Sequence, residues 1–178
     1  MKDLTKLKEA ILYVASKSEG DEKFGAVKLN KILYYADFRA YRELGRSITD
    51  ATYQHLPDGP APRELLAARQ ELVEEGHLEI EHQQVFNFVQ HSLKAKRPPN
   101  VEVFESPQDR HILDQTIQHL WPYWGYQVSE MSHREWGFRL TELGEEIPYR
   151  TAWLDSGEGS QDQMEAVEAF LKEKGYAR

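Results

Sequence analysis

VKLNKILYYADFRAYREL, residues Val27 to Leu44, is the stretch whose reading decides the fold. At helical period it carries two apolar stripes. Leu29, Ile32, Leu33, Ala36, Ala40 and Leu44 fall on one face, and Val27, Tyr34, Phe38 and Tyr41 on nearly the opposite one. Lys28, Lys31, Arg39 and Arg42 occupy one seam between the stripes, Asn30 and Asp37 the other. A surface helix needs one apolar stripe. Two stripes predict a helix covered on both sides, at the centre of a helical domain. Its tyrosines bring hydroxyls that need partners if buried.

Outward from that segment the chain reads as short elements. Asp3 is placed to cap a first helix running to about Ser18, with Leu4, Leu7, Ile11, Val14 and Ala15 as a single stripe and Tyr13 pointing elsewhere. Ser-Glu-Gly-Asp at 18–21 breaks it. Gly45 follows the central helix as a left-handed C-cap. Thr52 to His55 reads as a short strand. Pro57, Gly59, Pro60 and Pro62 predict a stiff loop, with Pro60 or Pro62 opening a helix that runs to about Glu75. Leu65, Leu66, Ala68, Leu72 and Val73 make its stripe. Arg69 lies inside that stripe, either with its stem over apolar surface and its head in water, or half-buried against a carboxylate such as Asp37.

After Gly76, HLEIEHQQVFNFVQHSL reads as two strands around a turn near His82–Gln84. Helix, glycine, hairpin is the order of winged-helix domains, with the hairpin as the wing. KAKRPPN at 94–100 reads as a linker, and its Lys94, Lys96 and Arg97 as a solvated loop. Ser106-Pro107-Gln108-Asp109 starts a helix carrying Leu113, Ile117, Leu120 and Trp121 on one face. Pro122 and Gly125 limit it. Another helix is expected near VSEMSHREWGF, capped by Ser129 or by Ser132 with Glu135, and ending near Gly144. IPYRTAWL reads as a turn or helix opening at Pro148, and DSGEGSQDQ as flexible. Ser160 with Gln163 forms a capping box before a last amphipathic helix, about 160–176, holding Met164, Val167 and Leu171.

Composition bounds the function. At 178 residues, 40% hydrophobic and 29% charged, the chain suits one globular core. A net charge of −8 argues against nucleic acid as the main ligand and permits a basic protein partner. The absence of cysteine excludes disulfides, thiolate metal sites and Cys nucleophiles. No apolar run approaches membrane-spanning length and no signal-type segment opens the sequence, so a cytoplasmic protein without membrane contact is expected.

Chemistry is sparse. His111 and His119 are eight residues apart, too far for neighbouring helical turns. His55, His77, His82 and His91 lack acidic ligands at metal spacing, so no metal site is expected. No Walker loop, GxGxxG or GxSxG is present. The prolines of DGPAP remove the N–H donors that a phosphate nest needs. Ser129 and His133, four residues apart, would share a helix face, but an exposed elbow and an oxyanion hole are missing. The acidic residues of the would-be reading helix, Glu64, Glu71, Glu74 and Glu75, deny it a positive face for DNA.

Three separated motifs resemble the Panacea domain, formerly a phage-associated domain of unknown function, which includes SocA-like antitoxins. They are KLNKILYYADF at 28–38 with a following GR-S-IT, GPAPRELL at 59–66, and VSEMSHREWGF…GEEIPYRTAWL at 128–154. The resemblance covers about residues 5–155. It departs from the family in reading Gly-Pro-Ala-Pro rather than Gly-Pro-Val, and in placing Leu65 and Leu66 where an aromatic usually follows. The resemblance implies an antitoxin that neutralises a protein toxin by direct binding, and for part of the family delivery of the toxin to a protease. Lys28, Lys31, Tyr34, Tyr35, Gly59, Pro60, Ser129, His133, Trp136, Pro148 and Tyr149 are the motif residues it singles out, for the fold or for the partner.

The expectation is therefore a mostly helical α+β protein, one domain over 1–178, with a buried central helix and a winged-helix-like hairpin. It would act as a non-catalytic antitoxin without cofactor. The alternatives are a winged-helix regulator and a proteolytic adaptor. The sequence does not fix the oligomeric state.

Overall fold

Ala26–Leu44 form one helix, α2, entered from an extended Gly25 and closed at Gly45. In the computed structural model, which describes residues 2–156 and 160–175, both stripes of α2 are covered. Leu29, Ile32, Leu33, Ala36 and Ala40 are at most 1% exposed, and Tyr34 and Phe38 on the other face are 2% and 6%. Only the ends open to water, with Val27 and Leu44 each 37% exposed.

The neighbours that cover α2 explain its two faces. Helices α1 (Thr5–Lys17), α4 (Pro107–Leu120) and α5 (Gly125–Ser132) pack on it, together with the strand β2 (Gly59–Pro62). The single stripe expected of α1 is too narrow: Ala10, Leu12 and Tyr13 are buried alongside Leu7, Ile11, Val14 and Ala15. This helix is itself enclosed, and the Tyr13 hydroxyl can be buried because it donates to Asp114 at 2.9 Å. Leu4, not Asp3, stands at the N-cap of α1; Asp3 lies one residue before it and accepts from the Thr5 N–H at 2.9 Å.

Segment GPAP is a strand rather than a loop. β2 pairs antiparallel with β1 (Tyr53–Leu56), Gln54 opposite Ala61 and His55 opposite Pro60. The prolines fit because residues 60 and 62 stand where the N–H points away from β1. On β1, Tyr53 and His55 turn their own outward groups to the 144–147 segment: His55 N–H donates to the Glu145 carbonyl and Ile147 N–H to the Tyr53 carbonyl. Helix α3 therefore starts later than expected, at Leu65, and runs to Glu74. It buries Leu65, Ala68 and Leu72, but leaves Leu66 75% and Val73 42% exposed.

The hairpin of β3 (Leu78–Val85) and β4 (Phe88–Ala95) follows. Its turn is Phe86–Asn87, not His82–Gln84, because Val85 pairs with Phe88 and the ladder continues outward past the polar residues. Those residues are polar because the distal half of a two-stranded sheet lies in solvent, not because the chain reverses there. β4 extends into the expected linker. Lys94, Lys96 and Arg97 are held by Glu81, Glu79 and Glu9 at 2.8, 2.8 and 2.6 Å.

The expected helix 128–144 is two helices. Gly125 starts α5 three residues earlier, so Ser129 and Ser132 lie inside it and cap nothing at its start. Glu135 precedes a separate short helix, α6 (Trp136–Arg139). A 3-10 turn at Tyr149–Thr151 opens after Pro148 and leads into α7 (Ala152–Ser156). Ser160 and Gln163 cap α8 (Gln161–Glu173) reciprocally, at 2.8 and 3.3 Å. Val167 and Phe170 are its buried residues, while Met164 is 41% exposed. Residues 157–159 of the stretch expected to be flexible, and residue 176 at the end of the expected last helix, lie outside the described residues. The fold is α+β, mostly helical, with two small antiparallel hairpins around the buried α2.

Candidate functional site

The motif residues converge on two junctions along α2. At the first, α2, β2 and α5 meet. Lys31 is 1% exposed, and its Nζ donates to the Pro60 carbonyl at 3.0 Å. Burial pulls this amine down to about 8, with the Asp58 charge opposing the shift. Gly59 sits against it at φ +94, a conformation that favours glycine. A methyl group there would stand 2.5 Å from Ser132 Oγ and 3.0 Å from Lys31 Nζ. Ser129 Oγ donates to the Asp58 carbonyl, and Ser132 Oγ to the Ser129 carbonyl at 2.7 Å. Three distant motifs thus close on one point.

One turn earlier, Lys28 is also 1% exposed. Its Nζ meets Asp21 at 2.5 Å and the Trp121 carbonyl at 3.1 Å. Desolvation lowers this lysine, and Asp21 holds it back. The seam assigned to Lys28 and Lys31 from the sequence is therefore not a solvated one. A charge enters a core only when the fold supplies partners, and here a loop carboxylate and backbone carbonyls do so.

The second junction is polar at its base and aromatic above. Asp37, fully buried, accepts from the Ile48 and Thr49 N–H groups at 2.8 and 3.0 Å, from the Thr49 hydroxyl, and from the Tyr53 hydroxyl at 2.7 Å. Burial pushes its carboxyl up, against these donors. Asp37 is thereby the anchor of the 47–53 segment and not the partner of Arg69, whose buried Nε has no hydrogen-bond partner among the described residues. Tyr34, Phe38, Tyr53 and Tyr149 pack ring on ring over this base, with centroids 4.3 to 5.9 Å apart. Tyr149 OH donates to the Ala51 carbonyl at 2.7 Å, tying the last motif to the same place. Pro148 accepts from the Thr151 hydroxyl at 2.7 Å.

The remaining motif residues lie nearer the surface. Tyr35 donates to Glu135 at 3.3 Å. Trp136 is 41% exposed under the Arg139 guanidinium. His133 stacks on Phe138, and His55 stacks on the same ring. Ser129 and His133 do not form a nucleophile–base pair: the serine hydroxyl is spent on Asp58, and the imidazole lies against an aromatic ring.

A groove of about 770 Å³ opens beside the first junction, between β4 and the N-terminal ends of α2 and α5. Val27, Phe86, Phe88, Val89, Trp124 and Tyr126 give it an apolar lining, and Lys23, Asp58 and Glu130 add charge. Sequence reading placed Phe86 and Phe88 in a strand and missed the groove. Its one signal was VFNFV, an apolar run interrupted by a single turn-forming residue.

Among the described residues no group of three or more potential metal ligands gathers, and no helix is long and apolar enough to cross a membrane. The family model described as "Antitoxin SocA-like, Panacea domain" matches residues 29–137, more than half of the chain. No curated protein and no solved structure matches.

Proposed function

The chain belongs to the SocA-like antitoxin, Panacea-domain family, and from that premise we propose that it is the antitoxin of a two-gene pair, neutralising a cognate protein toxin by direct, non-catalytic binding. The observation that carries the proposal is the family match across residues 29–137, which takes in nearly all of the first motif, the whole of the second and the start of the third. The use made of the polar motif residues supports it. Lys28, Lys31, Asp37 and Ser129 all spend their polar atoms on the fold itself. Such groups build a rigid scaffold, and the one amine among them that burial brings down to about 8, Lys31, is enclosed and donates to the Pro60 carbonyl. Neutralisation requires only a surface, on the order of 800 Å² per partner in a standard interface. An acidic antitoxin would be steered toward a basic toxin.

Expression of the neighbouring gene, alone and together with this one, tests the proposal. Growth arrest by the neighbour, relieved by this chain with co-elution of the two proteins, is the expected result. No relief and no co-elution would refute it.

A further inference from the structure

The fold does not account for the tip of the β3–β4 hairpin. Phe86 is 86% exposed at φ 51. It holds the first central position of a two-residue hairpin loop, where a positive φ is glycine's place. Phenylalanine is disfavoured there twice, by its own backbone and by water. Strain of this kind points toward a function outside the fold. The apolar surface continues through Val89, 50% exposed, and Phe88, 40% exposed. Across the groove stand Tyr126 at 59% and Val27 at 37%. Aromatic side chains clustered around a groove are the composition of binding hot spots.

Charge narrows the occupant. Lys28, beneath the groove, is neutralised by Asp21. Asp58 and Glu130 are exposed on the lining and form no ion pair among the described residues; Asp58 also bears on the buried Lys31, and Lys23 is the one lysine of the lining outside an ion pair, so two carboxylates face one free ammonium. The lining is therefore apolar with an acidic lip, on a chain of net charge −8. A second copy of this chain would bring like charge to that lip. A basic partner would not.

We infer that this groove is the toxin-docking surface, and that it takes a short toxin segment presenting a bulky apolar side chain next to a lysine or arginine. The inference rests on the antitoxin reading. The apolar side chain enters between Phe88, Val89 and Tyr126, Phe86 closes over it, and the cation meets Asp58 and Glu130. A volume of about 770 Å³ holds a few side chains, not a domain.

The test co-expresses the neighbouring gene's product with wild type, Phe86→Ser, Val89→Asp, Glu130→Lys and a control, Leu66→Ser, on the exposed side of α3. Growth, co-elution, melting temperature and the mass of each free chain are measured. Wild type and Leu66→Ser are expected to rescue and co-elute. The three groove variants are expected to bind at least tenfold more weakly at unchanged melting temperature. Groove variants that bind as wild type does would overturn the docking site while the antitoxin reading stood. Failure of the wild type itself would overturn both. Binding lost only in variants that also melt early would count against the site. A free dimer that dissociates with Phe86→Ser would make a second copy the occupant, and would overturn the inference as well.

Discussion

Replacing Lys31 with methionine should change how stability depends on pH, and the size of the effect follows from the burial of one amine. In the folded chain this amine sits at about 8, against an ordinary value of 10.5. Below pH 8 both folded and unfolded chains carry the proton, and the fold bears the whole cost of the buried charge. Between pH 8 and 10.5 the folded chain releases its proton first. The unfolded state then binds more protons, so stability rises with pH. Above 10.5 the gain is complete. The gap amounts to about 3 kcal/mol. Lys31→Met has no amine to titrate, and it leaves the Pro60 carbonyl without a donor, at a cost of about 1–3 kcal/mol. The variant should therefore match or slightly exceed the wild type at pH 7 and fall below it by pH 10.5. Urea denaturation of both proteins at four pH values across that range gives the difference directly, and the other titrating groups cancel in the subtraction. A wild-type-minus-variant difference that stays flat from pH 7 to 10.5 would refute the desolvated amine.

Two further substitutions probe the same junctions. Gly59→Ala adds left-handed strain of about 1–2 kcal/mol and crowding of about 1–3 kcal/mol against Ser132 and Lys31. A stability loss of about 2–5 kcal/mol in urea is expected, partly recovered by adding Ser132→Ala; no loss would mean that the junction is loose. Asp21→Ala leaves Lys28 charged, buried and without its carboxylate, which should cost about 3–5 kcal/mol. Adding Lys28→Met should restore most of it, and a double variant no more stable than the single one would argue against this pairing.

Parts of this fold were open to reading in one dimension. The α2 stripes work because apolar side chains at helical spacing need cover whichever elements provide it, and the structure supplies cover on both sides. The capping box of Ser160 and Gln163 is equally local, since both partners lie within one turn. Other features were misread for definite reasons. The prolines of GPAP suggest a loop, yet they occupy the positions of an edge strand that need no N–H. The polar run His82–Gln84 suggests a turn, yet it is the solvated part of a ladder whose reversal is at Phe86–Asn87. Ser132 and Glu135 have capping-box spacing, but Ser132 is already enclosed in α5 and donates back to the Ser129 carbonyl.

The candidate site divides along the same line. The motif order and its family resemblance are properties of the sequence, as is the central place of α2, because residue type and spacing suffice to state them. The tertiary structure alone decided that Lys28 and Lys31 lie in the core. Their partners, Asp21, the Trp121 carbonyl and the Pro60 carbonyl, come from segments 7, 93 and 29 residues away. It alone also set an apolar hairpin tip over a groove with an acidic lip. Whether a charge is buried or a phenylalanine is exposed depends on what the rest of the chain brings to it, and spacing along the sequence does not carry that information.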